Sequence, residues 1–92
     1  MRSEIETLLL KATSAGEVRS VLQSVCAAHG PVVRTGVMYS TQDKPPRQMT
    51  CIVEMQEEVA GSIAADLGAA SLGNRLVVFK YEAPENFEIQ AQ

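Results

Sequence analysis

The apolar positions change period several times along the chain, and each change marks an element. From Gln48 to Met55 the residues Met49, Cys51, Val53 and Met55 alternate with Gln48, Thr50, Ile52 and Glu54. An extended backbone sends these two sets to opposite sides, so the stretch predicts a central strand with one core face and one mixed face. Upstream, Thr7-Leu8-Leu9-Leu10-Lys11-Ala12 is a short apolar run closed by the turn-like Thr13-Ser14-Ala15-Gly16, and it predicts a first strand. Ser14 and Glu17 have the spacing of a capping box, and Val18, Val21, Leu22, Val25 and Cys26 follow at helical spacing. Gly30 and Pro31 provide the stop.

Val32 to Tyr39 predicts a second strand, with Gly36 marking a bulge or a close backbone approach. Ser40 to Arg47 reads as a polar loop stiffened by Pro45 and Pro46. Glu57 to Leu67 predicts a second helix, with Val59, Ala60, Ile63, Ala64 and Leu67 on one stripe, acids in its first turn and Gly68 as the cap. Leu76 to Tyr81 is the last strand, ended by Pro84. The predicted order is βαββαβ, a ferredoxin-like α+β fold with a four-stranded antiparallel sheet and two helices on one face. One domain over residues 6–83 is expected, with 1–5 and 84–92 as terminal extensions. That fold hosts unrelated activities, so function has to be read from its surfaces.

Composition narrows the choices. At 92 residues the chain supports one core, and with no Trp and few other aromatics that core is aliphatic. No apolar run approaches the roughly 18 residues of a membrane span, and the start lacks the pattern of a signal peptide, which predicts a cytoplasmic protein with no membrane partner. Cys26 and Cys51 fall on inward positions and read as buried thiols; with His29 they are too few for a metal site. No nucleophile stands with a base and no phosphate-binding glycine loop is present, so neither an enzyme nor a cofactor is expected. The net charge of -3 argues against broad electrostatic attraction to nucleic acid.

Three segments carry a family resemblance. Ala28-His29-Gly30-Pro31-Val32 is similar to the helix end and Gly-x-Val start of the second strand in the RNA recognition motif family. Ala60 to Gly73 is similar to its second helix and following loop, and Gly73-Asn74-Arg75-Leu76-Val77-Val78 to the start of its fourth strand. In this order the segments resemble that family over roughly residues 6–83. The resemblance implies single-stranded RNA as a ligand, read on the open sheet face. The chain departs from the family at the RNA-reading motifs: the stacking aromatics are replaced by Thr50 and Ile52 in the octamer and by Leu9 in the hexamer.

Strand alternation together with this alignment predicts an open face carrying Leu9 and Lys11, then Arg34 and Met38, then Thr50, Ile52 and Glu54, then Val77, Phe79 and Tyr81. Phe79 and Tyr81 would stack on bases while Lys11, Arg34, Arg47 and Arg75 hold phosphates. The aliphatic members equally fit a protein partner or a homodimer. The tail residues Phe87 and Ile89 have two uses open to them: folding back across that face, or belonging to a disordered end.

Overall fold

The computed structural model describes residues 4–39 and 47–88. Its elements are α1 (Glu4–Lys11), α2 (Ala15–Ala27), β1 (Val32–Tyr39), β2 (Gln48–Met55), α3 (Ala60–Leu67), β3 (Ala70–Leu72) and β4 (Leu76–Glu82). The class is α+β, with a four-stranded antiparallel sheet in the order β1-β2-β4-β3. Three helices accompany it, where two were expected. Among the described residues no helix is long and apolar enough to cross a membrane.

The first predicted strand is a helix. Ile5, Leu9 and Ala12 recur at helical spacing and are buried, while Glu4 and Glu6 occupy the first turn of α1 and Lys11 the last, the arrangement that the helix dipole favours. α1 therefore packs on α2, and the position beside β2 is filled by β4. The resulting order, ααββαββ, differs from βαββαβ. β3, a three-residue strand missing from the sequence reading, forms a hairpin with β4 through Gly73, whose φ of 69° is open to glycine without strain. β2 and β3 both run antiparallel to β4, so α3 links two parallel strands and leaves a slot between them that β4 occupies.

Local chemistry explains the helix ends. The Glu17 N–H donates to Ser14 Oγ at 3.2 Å, which satisfies one orphan amide in the first turn of α2, and the Thr13 N–H, one residue before the cap, donates to Glu17 Oε1 at 3.2 Å. Gly68 ends α3 in the left-handed conformation, as its position in the sequence predicts. α3 begins later than expected: Glu57 and Glu58 precede it, and Val59 caps it without a side-chain bond. The bulge in β1 lies at Val32–Arg34 and not at Gly36, above which there is open space.

One core lies between the three helices and a single face of the sheet. Its fully buried members include Leu22, Met49, Val53, Met55, Ile63 and Val77. The tail joins this side. Phe87 is 6% exposed and meets Tyr39 edge to face, with ring centroids 5.8 Å apart at 63°. The Glu88 N–H donates to the Thr13 carbonyl at 2.6 Å, tying the tail to the α1–α2 turn. Phe87 thus closes the margin of the core and does not cross the open face; Ile89 and the loop over 40–46 lie outside the described residues.

Phe87→Ala is expected to cost about 3 kcal/mol in urea unfolding, the low end for an aromatic truncation because the ring sits at the core margin. Its amide perturbations should centre on Tyr39 and Thr13. Perturbations centred on Ile52 and Val78 would instead put the tail on the opposite side of the sheet.

Candidate functional site

The side of the sheet away from the helices is open, and the strand register defines it residue by residue. Met38, Thr50 and Lys80 form one row across the strands. Gly36, Ile52, Val78 and Ala70 form the next, and Arg34, Glu54, Leu76 and Leu72 the third. Gln48 and Glu82 flank the first row. Met38 and Leu72 are 54% and 64% exposed, while Thr50, Ile52, Leu76 and Val78 are half-buried by their neighbours on the sheet.

The face is apolar across its middle and electrically balanced around it. Arg34 Nε meets Glu54 Oε1 at 2.7 Å, a cross-strand pair whose partners are both solvent-accessible, so it contributes little to stability but cancels both charges locally. Among the described strand residues Lys80 and Glu82 are the other cation and anion on this side. None of the chain's four aromatic residues lies here: Phe79, Tyr81 and Phe87 are buried in the core, and Tyr39 packs against it.

The predicted site residues separate accordingly. Arg34, Met38, Thr50 and Ile52 are on the open face. Val77, Phe79 and Tyr81 are on the opposite one, buried beside Val53, Cys51 and Met49. Leu9 is in α1 and 2% exposed, and Lys11 is at the exposed end of that helix. Arg47 precedes β2, half-buried, with its carbonyl accepting from the Ala83 N–H at 2.9 Å. Arg75 is exposed in the β3–β4 turn, where its carbonyl accepts from the Met55 N–H at 2.7 Å. The face members not anticipated are Gly36, Ala70, Leu72, Leu76, Val78, Lys80 and Glu82. The signal for most of them was present, because Lys80 and Glu82 are two residues apart and mark the outward phase of β4.

On the helical side, burial pushes the Cys26 thiol up to about 11. The same effect pushes Cys51 up to about 11, opposed in part by the Tyr81 hydroxyl. Burial raises the Tyr81 phenol well above its usual value, and Cys51 adds to that. The Tyr81 hydroxyl has no hydrogen-bond partner of ordinary geometry, so the nearby thiol influences it without satisfying it. Neither thiol is activated as a nucleophile. A groove of about 390 Å³ runs between α1 and β4; its titratable lining is Glu6, Lys80 and Tyr81. Among the described residues no group of His, Cys, Asp or Glu has the clustering of a metal site.

Fold and site together define an α+β domain with helices on one side of its sheet and a neutral aliphatic surface on the other. No family model, curated protein or solved structure matches the chain.

Two outcomes follow from the buried polar groups. Tyr81→Phe removes a hydroxyl that lacks a partner and should raise the unfolding free energy by on the order of 1 kcal/mol; a loss of that size would reveal a bond to the hydroxyl. Both thiols hold their protons in the folded chain to higher pH than at their ordinary value of 9.0. Their contribution is full below about pH 9 and is lost as pH rises through about 11. Urea midpoints should therefore fall over that window, and less steeply in Cys51→Ala; a midpoint independent of pH there would contradict the burial of the thiols.

Proposed function

We propose that this chain is a non-enzymatic protein-interaction module that docks a partner protein on the open face of its sheet. The observation that carries the reading is the row Gly36, Ile52, Val78 and Ala70, continued at one corner by Leu76 and Leu72. A contiguous apolar surface of this kind favours a partner that removes it from water, at roughly 25 cal/mol per Å² of apolar area. The balanced charges at its margin suit a protein surface that presents both signs.

Single-stranded RNA, the ligand implied by the resemblance to RNA recognition motifs, finds less support here. Stacking on an aromatic side chain is worth about 1–3 kcal/mol per base, and the open face offers no ring. Among the described residues its two cations are matched by two anions, Arg34 and Lys80 against Glu54 and Glu82, which leaves these residues no net attraction for phosphates.

The test is a photo-crosslinking residue at position 52, with position 20 on the exposed side of α2 as control. In cells of the source organism, position 52 should give discrete protein adducts and position 20 should not. The reading fails if position 52 gives no more than the control or if its adducts are nucleic acid. In parallel, single-stranded RNA at low salt should leave the amides of Thr50, Ile52 and Val78 unshifted; saturable shifts there would favour the RNA reading.

A further inference from the structure

We infer that β1 is a dimerisation seam, at which two copies of the chain pair their edge strands antiparallel and merge their sheets into one. The inference concerns the backbone edge of the sheet and is independent of what docks on its face. The Gln56 N–H donates to the Pro31 carbonyl at 3.0 Å, and the Met55 N–H donates to the Arg75 carbonyl at 2.7 Å. Backbone polar groups alternate sides along an antiparallel strand, so Thr50, Ile52 and Glu54 direct theirs to β1 and the odd-numbered residues of β2 direct theirs to β4. The residues opposite them in β1, namely Met38, Gly36 and Arg34, therefore complete that ladder. Thr35, Val37 and Tyr39 direct their N–H and C=O groups outward, where no strand lies among the described residues.

The two edges of the sheet are unlike. The far edge is split: β3 covers only Leu76–Val78, and beyond it Phe79, Lys80 and Tyr81 of β4 line the groove beside α1. The β1 edge is eight residues long and contains neither Pro nor Lys. Its single charge, Arg34, is drawn back over the sheet to Glu54, and its bulge disturbs only the start of the strand. Natural sheets blunt long edges with prolines, lysines or inward charges, and β1 has none of these past Arg34.

A second copy fits this edge because the strand is compatible with itself under a two-fold rotation. With Gly36 facing Gly36 of the second copy, Val33 to Tyr39 pair throughout and Thr35 exchanges hydrogen bonds with Val37 of the other strand in both directions. Arg34 then faces Met38 of the second copy, so the two guanidinium groups stay apart and each keeps its own Glu54. The register that sets Arg34 against Arg34 is disfavoured by like charge and shortens the overlap.

Amide hydrogen exchange on the native chain, measured with sedimentation at low and high micromolar concentration, decides the matter. Thr35, Val37 and Tyr39 should be protected at high concentration and lose that protection on dilution as the dimer dissociates. Gly36 and Met38, bonded to β2, should stay protected at both. Free exchange at Thr35, Val37 and Tyr39 in a chain that is monomeric throughout overturns the proposal. Val37→Pro deletes an N–H that β2 does not use and should abolish the dimer; should that variant fail to fold, exchange on the native chain still decides. Ile52→Lys alters the face and leaves the edge intact, so the dimer should persist. A dimer lost with Ile52→Lys but retained with Val37→Pro would be a face contact, and the seam would be rejected.

Discussion

The register between β2 and its two neighbours is the constraint on which everything else depends. β2 lies between β1 and β4, and its pairing aligns Val37, Cys51 and Phe79 in one inward row and Gly36, Ile52 and Val78 in the adjacent outward row. A slip of one residue would exchange the two faces of the slipped strand, because side chains alternate with a period of two. The register is secured near the ends of the sheet by bonds outside the ladder: Gln56 to Pro31 and Met55 to Arg75 at one end, Ala83 to Arg47 at the other. The same pairing that places Met49, Cys51, Val53 and Met55 entirely out of water also lifts Ile52 and Val78 onto the opposite face. Core and candidate site are two results of one alignment.

This explains which features could be read from the chain and which could not. β2 was legible because its polar and apolar residues alternate throughout, and α2 because Ser14, Glu17 and a five-residue apolar stripe agree on one helix. α1 is ambiguous in the sequence because Thr7 to Ala12 contains three consecutive leucines, a run that suits either a buried strand or a short helix; the spacing of Ile5, Leu9 and Ala12 and the charges at its two ends favour the helix. β4 opens with Leu76-Val77-Val78-Phe79, which has no internal phase, and the resemblance to RNA recognition motifs implies the phase opposite to the one observed. Lys80 and Glu82 carried the correct one. β3 is three residues long and exposed throughout, too short to form a pattern of its own.

The allocation of aromatic residues follows from size. A domain this small has a thin core, and large side chains fill the space between a sheet and three helices with the fewest residues. With only four rings in the chain, their use on the inner side leaves the outer one to aliphatic and small residues. The open face can therefore contribute buried apolar area and shape, but not stacking. Even the Tyr81 hydroxyl is enclosed with a thiol for company, a polar cost accepted to place a ring in the core.

Face and edge make separate demands on a partner. Side chains stand perpendicular to the sheet, whereas backbone donors and acceptors lie within its plane, so pairing at β1 and docking over Ile52 and Val78 proceed along different directions. Joining two sheets at β1 would make the Gly36–Ile52–Val78 rows of the two copies continuous, with Met38 of each copy beside Arg34 of the other, creating an apolar row longer than either copy presents alone. A partner with two matching patches would then bind the pair more tightly than it binds one copy, by effective concentration and without any new kind of contact. Gly36, which bears no side chain and has open space above it, lies at the middle of that seam and keeps the joined surface free of a ridge where the two copies meet.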